Sequence, residues 1–315
     1  MDFYESTTKE KNFESLRFGV LGCAGIARKN LRAIVKSKKC TAAGVASRSI
    51  DKANDFLSAV GLNGSVKVFN SYDDIVLSPD VDALYIPLPT VHHFEWIEKA
   101  AKAGKHILSE KPAAVNLSTL QEIIKVCRDN KVFFMDGVMF MHHQRTYKLV
   151  QILQENLTAD VQRVNSSFTF HGNQQFFETN IRASSLGDPL GCLGDLGWYC
   201  IRIALLAFNR GKFDDAASII LPRSCIAHCS HWSADGLVPL QCDVRVAFCK
   251  EGWSKVLAFD CGFNSPWRQR YEIVCATNSA TGTDKVFTCD DFVIPRHPLS
   301  ASFQLESLPS AGTFP

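Results

Sequence analysis

Several stretches of this chain carry residue types whose spacing could do chemistry. Gly22-Cys23-Ala24-Gly25-Ile26-Ala27 follows the apolar run Phe18-Gly19-Val20-Leu21. A strand, a tight glycine turn and a helix start make a phosphate cradle, because the first helical N–H groups are free and the helix dipole is positive there. Gly22 supplies the turn. Ala24 stands where glycine usually allows close backbone approach, and Ala27 fills the helix–sheet packing position, where Gly or Ala is accepted. This predicts a dinucleotide site over Gly22, Cys23, Ala24, Gly25 and Ile26; the alternative is an ordinary strand-to-helix turn. The next strand ends at Ser47-Arg48-Ser49, and the first acid, Asp51, already lies on the following helix. With no carboxylate to clasp a ribose diol, an arginine flanked by hydroxyls suits a 2′-phosphate, so Ser47 and Arg48 favour NADP over NAD. A solvated surface arginine is the other reading.

Ser109-Glu110-Lys111-Pro112 falls just past the end of a strand-like run, the edge of an open α/β sheet where ligands sit. The proline keeps Lys111 out of helical geometry and gives its amine a fixed direction; an inert, exposed lysine is the plain alternative. In Leu190-Gly191-Cys192-Leu193-Gly194-Asp195-Leu196-Gly197-Trp198-Tyr199, Asp195 and Tyr199 are four residues apart and share one face of a helix that starts early. Read alone, they serve equally as a capping carboxylate and a core aromatic. Cys225, His228, Cys229 and His231 form the tightest Cys/His cluster, but no second Cys-x-x-Cys pair lies at zinc-ribbon or finger spacing, and no metal is expected.

The elements that must position these residues follow from periodicity. Over roughly the first 140 residues, apolar runs alternate with amphipathic segments, the pattern of βαβ units. Strands are predicted at 18–21, 41–47, 82–89, 105–112 and 132–140, with helices at 26–37, 50–60, 92–103 and 117–130. Ala27, Leu31, Ile34 and Val35 should face inward from the first helix, and Leu120, Ile124 and Cys127 from the last. After residue 145 the rhythm changes. Helices are expected at 147–154 and 197–206, among alternating runs such as 164–172, 242–250, 254–262 and 270–277, which read as half-buried antiparallel strands. The fold class is therefore α/β: a doubly wound parallel Rossmann sheet over 17–140, then an α+β domain with a large open, mostly antiparallel sheet over 141–296. Residues 1–16 read as a flexible lead-in and 297–315 as a poorly ordered tail.

Composition narrows the function classes. With 34 basic and 32 acidic residues, the formal charge of +2 gives no electrostatic footprint for nucleic acid or an acidic membrane. No apolar run approaches the ~20 residues that span a bilayer. The polar start does not read as a signal peptide, and the twelve scattered cysteines read as reduced, buried thiols of a cytoplasmic protein.

From Arg17 to Pro295 the chain resembles the Gfo/Idh/MocA oxidoreductases. The resemblance is carried by the Gly22–Ala27 turn, by Glu110-Lys111-Pro112 and by the Gly194-Asp195-x-Gly197-x-Tyr199 run. Tyr199, where many members have histidine, resembles the branch containing dimeric dihydrodiol dehydrogenase and NADP-dependent D-xylose dehydrogenase. Gly22-Cys23-Ala24-Gly25-Ile26-Ala27-Arg28-Lys29 and the stretch Val45–Ser49 look closest to plant members of that branch. The resemblance implies hydride transfer between a nicotinamide and a carbinol of a sugar or cyclic diol. It places Pro89, Thr90 and His93 beside the nicotinamide ribose and Glu110 against the cofactor. It sets Lys111 and Tyr199 about the substrate carbinol. A nearby Lys⁺ would lower the tyrosine from its ordinary pKa of ~10, which makes Tyr199 the better acid/base and Lys111 the group that orients the hydroxyl, although the two roles can be exchanged. Asp195 would bind a sugar hydroxyl or hold Lys111. Arg182 would reach the substrate or form a structural ion pair. Pairing of two copies through the open sheet is implied as well.

Two departures from the family pattern stand out. Relatives continue for several tens of residues past the segment Asp290–Arg296, which here predicts an open sheet edge and a bare apolar face. Phe140 and His143-Gln144 stand where this branch tends to have Trp and Asn-Pro, which alters the substrate pocket more than the cofactor site. A catalytically impaired NADPH-binding sensor or partner protein is the alternative reading.

Overall fold

The computed structural model describes residues 15–155, 159–213, 220–250, 253–277, 283–297 and 301–309. The chain forms two compact units, Met1–Gly137 and Val138–Pro315. Residues 1–14 of the expected lead-in, and 298–300 and 310–315 of the expected tail, lie outside the described residues.

The first unit alternates strands and helices. In order they are β1 (Leu16–Leu21), α1 (Gly25–Lys36), β2 (Cys40–Ala46), α2 (Ile50–Val60), β3 (Lys67–Phe69), α3 (Tyr72–Leu77), β4 (Ala83–Ile86), α4 (His93–Lys102), β5 (His106–Ser109), α5 (Leu117–Asp129) and β6 (Phe134–Asp136). The sheet runs β3-β2-β1-β4-β5-β6 with every pair parallel. Its order reverses between β1 and β4, which is where such sheets open a crevice at their carboxyl ends. The helices start where the chain offers a cap: Ser49, Ser71 and Asn116 each accept an N–H from the first turn of α2, α3 and α5. One face of the sheet packs Leu21, Ile75, Leu84, Ile86, Ile97 and Ile123; the other packs Val20, Leu31, Val45, Phe56, Leu57 and Tyr85. β3 and α3 were not foreseen, and the strand expected at 132–140 is confined to β6 and followed by a 3₁₀ turn at Met139–His142.

The second unit begins with α6 (Gln144–Glu155), β7 (Ala159–His171) and α7 (Gln174–Thr179). A π-helical turn at Leu193–Gly197 then runs into α8 (Trp198–Phe208). The remaining strands are β8 (Pro222–Trp232), β9 (Pro239–Lys250), β10 (Trp253–Gly262), β11 (Asn264–Thr277), β12 (Thr283–Cys289) and β13 (Gln304–Pro309). They form a sheet in the order β13-β12-β11-β7-β10-β9-β8, antiparallel except where β7 meets β10. The apolar α8, with Tyr199, Cys200, Ile203, Ala204 and Ala207 buried, shares one core with Val164, Phe168, Leu257, Phe259, Tyr271 and Ile273 of the strands. Phe140 joins this second core through edge-to-face contact with Phe292.

β13 corrects one expectation. Residues 304–309 are strand rather than loose tail, because their backbone pairs antiparallel with all of Thr283–Thr288. The edge of the sheet on this side is therefore β13, beyond β12.

Eleven free cysteines are present among the described residues. Cys229, Cys242 and Cys261 stand abreast on β8, β9 and β10. Cys192 Sγ lies 3.8 Å from Cys261 Sγ. Burial pushes the Cys229 thiol up to about 12. It also pushes the Cys200 thiol up to about 12, which keeps both protonated and unreactive near neutral pH. Among the described residues no group of three or more His, Cys, Asp or Glu side chains could hold a metal ion.

Gly191 shows how tightly the turn before α8 is set on the sheet. Its φ is +50°, and a Cβ there would collide with the Pro239 carbonyl oxygen. Gly191→Ala should destabilise the second unit by about 2 kcal/mol or more, read as a lowered denaturant midpoint. A midpoint equal to that of the native chain would show that the turn can move aside.

Candidate active site

The glycine turn is formed as its sequence requires. Gly22 has φ +118°, a conformation that a side chain rarely adopts, and a Cβ on it would stand 2.8 Å from Leu88 Cδ2. Its N–H donates to Ala46 O at 2.9 Å, tying the turn to the end of β2. α1 starts directly afterwards with Ala24 at its N-cap, and no side chain caps it. Gly25 and Ile26 are exposed, and nothing lies within 4 Å of a Cβ built on Gly25. The start of this three-turn helix is thus exposed, with positive dipole and no acceptor from a capping side chain. These features fit the pyrophosphate of a dinucleotide.

The neighbouring loop ends complete this edge. Cys23 is half-buried, and burial raises its thiol pKa against the effect of a hydrogen bond with Ser47, which is itself buried. Arg48 is exposed at the end of β2. Thr90 is buried at the start of the 3₁₀ turn Thr90–His92, behind Pro89. His93 is only 1% exposed. Its Nδ1 lies 3.0 Å from Pro112 O and its Nε2 2.9 Å from Leu88 O. Both ring nitrogens therefore brace backbone on either side of the sheet edge, a role that spacing alone did not indicate.

Glu110 follows β5, with its N–H donating to Ile86 O at 3.1 Å. Its carboxylate accepts from the Tyr85 hydroxyl at 2.6 Å, and Tyr85 in turn accepts from Asn30 Nδ2 at 2.6 Å. Asn30 and Tyr85 escaped sequence reading. Asn30 lies mid-helix in α1, and Tyr85 reads as one more apolar residue of a buried strand. Lys111 is half-buried and the Lys111–Pro112 peptide is cis.

The second unit gathers Arg182, Asp195 and Tyr199. Arg182 Nε donates to Asp195 Oδ2 at 2.9 Å. Asp195 sits within the π-helical turn, not at a helix cap, and its side chain is 14% exposed. The carboxylate raises the pKa of Arg182, as do Asp188 and Tyr199 more weakly. Tyr199 is buried between the rings of Phe140 and Phe168, at centroid distances of 6.0 and 5.5 Å. Its hydroxyl donates to Met139 Sδ at 3.3 Å. Cys225, His228, Cys229 and His231 all fall on the edge strand β8, where the Cys229 thiol turns to Cys242.

Comparison with known proteins agrees with this architecture. Residues 16–138 match the family model described as "Oxidoreductase family, NAD-binding Rossmann fold". The chain is 34% identical over 194 residues to dTDP-3,4-didehydro-2,6-dideoxy-alpha-D-glucose 3-reductase of Actinomadura kijaniata, covering 61% of this chain and 56% of that protein. It is 30% identical over 191 residues to D-xylose 1-dehydrogenase (NADP(+)) 2 of Haloferax volcanii, covering 61% of this chain and 57% of that protein. The chain thus spans a little over half the length of these curated relatives. Among solved structures, a 3-ketoreductase from Actinomadura kijaniata in complex with NADP and TDP-benzene superimposes with a TM-score of 0.69 at 26% identity. That match covers 94% of this chain and 85% of the ketoreductase. No helix among the described residues is long and apolar enough to cross a membrane. Over residues 16–138 the chain is thus similar to the Gfo/Idh/MocA oxidoreductases, a family with a NAD-binding Rossmann fold.

Proposed function

We propose that this chain is an NADP-dependent oxidoreductase that acts on a carbinol of a sugar or cyclic diol. The observation that carries the reading is the uncapped start of α1 behind Gly22, with Ser47 and Arg48 at the adjoining end of β2. The bound nicotinamide supplies or accepts the hydride. The amides of Gly25 and Ile26 hold the pyrophosphate, with Cys23 and Ala24 forming the turn before them. Arg48 and Ser47 take the 2′-phosphate. Pro89 and Thr90 line the cofactor loop, and His93 fixes that loop by its two carbonyl contacts. Asn30 and Tyr85 hold Glu110 toward the ribose side.

The proton must leave the carbinol oxygen as hydride leaves its carbon. Tyr199 takes that proton, and Lys111 orients the hydroxyl and stabilises developing negative charge. Asp195, oriented by Arg182, accepts a hydrogen bond from a neighbouring substrate hydroxyl. A second copy of the chain would pair through the seven-stranded sheet, whose edge strand β8 is exposed along nearly all its length. The relatives named as sugar reductase and xylose dehydrogenase support the substrate class.

Fluorescence titration with NADPH and NADH tests the reading. The native chain should bind NADPH tightly and prefer it to NADH. Arg48→Ala should weaken NADPH by about 10- to 100-fold and leave NADH nearly unchanged, because only the phosphate loses a charged partner. A folded chain that binds neither dinucleotide would overturn the proposal.

A further inference from the structure

Tyr72 has no role in the reading so far, yet the structure puts its hydroxyl at the dinucleotide turn. It is the first residue of α3, behind the Ser71 cap. A Cβ on Gly22 would stand 3.8 Å from the Tyr72 hydroxyl oxygen. The ring is held edge-to-face against Trp96 of α4, with centroids 5.0 Å apart and planes at 82°. Its direction is therefore fixed by packing, not by a hydrogen bond. Among the described residues the hydroxyl has no hydrogen-bond partner, although the residue is half-buried. The guanidinium of Arg48 likewise forms no ion pair among the described residues.

These two unpartnered donors feel one another. Burial raises the pKa of the Tyr72 phenol, and the charge of Arg48 acts in the opposite direction. The phenol thus stays protonated at neutral pH and keeps a proton to donate. A half-buried hydroxyl without a partner, an unpaired guanidinium and no carboxylate at the end of β2 describe a place for an anion.

We propose that Tyr72 is a specificity-determining residue, whose hydroxyl donates to a phosphate on the 2′ oxygen of the adenosine ribose beside Ser47 and Arg48. This rests on the NADP reading and adds a third group to it, from an element that the sequence pattern did not reveal. A ribose 2′-hydroxyl in the same position would be served less well. It is neutral, and a hydrogen bond to an ionised acceptor is roughly twice as strong as one between neutral groups.

The test compares Kd values for NADPH and NADH by fluorescence titration of the native chain and Tyr72→Phe, which keeps the ring against Trp96. The variant should bind NADPH about tenfold more weakly and NADH within about twofold of the native chain. Equal weakening of both dinucleotides would show that Tyr72 serves only packing, and unchanged NADPH affinity would show that the hydroxyl touches no phosphate. Either result overturns the inference while leaving the NADP reading intact. A folded native chain that binds neither dinucleotide overturns the NADP reading, and this inference falls with it.

Discussion

Tyr199→Phe should lower turnover by about 10²- to 10⁴-fold, the usual contribution of a positioned general acid/base, while leaving the Kd for NADPH unchanged. The substitution keeps the aromatic ring. The ring remains between Phe140 and Phe168, and the bond to the thioether of Met139 is to a weak acceptor. A loss of rate then reports the missing proton carrier and not a damaged core. Lys111→Met should likewise depress turnover, by removing the charge that stabilises the developing alkoxide. Both variants are to be assayed by NADPH formation or consumption on whichever sugar or cyclic diol the native chain accepts. Tyr199→Phe at near-native turnover would remove Tyr199 from the chemistry. A native chain that binds NADPH but turns over no member of a broad panel would instead favour the non-catalytic sensor.

Gly22→Val should weaken NADPH binding by about 10- to 100-fold, since a β-branched residue forced to such a φ carries about 1–3 kcal/mol of strain and the turn must re-form to relieve it. The nearest obstacle is the far end of the flexible Leu88 side chain, so the backbone conformation at φ +118° is the larger cost, not crowding. Moving the turn moves the amides of Gly25 and Ile26 away from where the pyrophosphate lies. Gly61→Ala is the control. Gly61 also has positive φ, +74°, with open space around its Cβ position, and it ends α2 away from the turn. It should lower stability modestly and leave NADPH affinity alone. If both variants bind NADPH like the native chain, the Gly22 turn is not the phosphate cradle.

Local sequence determined much of this protein. The parallel first unit, its glycine turn, the caps at Ser49 and Asn116 and the placement of Lys111 just past β5 depend on interactions between residues close in the chain. A left-handed turn needs glycine, a helix start needs an acceptor, and a strand end needs a proline or polar break. Tertiary structure decided the rest. Val35 and Ile124 lie on apolar helix faces by periodicity, yet both are more than 40% exposed, because the sheet covers a narrower stripe than the pattern offers. The Asn30–Tyr85–Glu110 relay joins α1, β4 and the end of β5, which no spacing rule connects. Asp195 meets Arg182 across thirteen residues of irregular chain. β13 reads as loose tail, since a short polar edge strand acquires its structure from the partner it pairs with and not from its own pattern. Tyr72 reads as one more aromatic, and only the close approach of α3 to the Gly22 turn brings its hydroxyl to the dinucleotide edge. The sequence could name the residues able to bind phosphate and move a proton; which of them share a surface was set by contacts between elements far apart in the chain, whose energies depend on packing that no local pattern records.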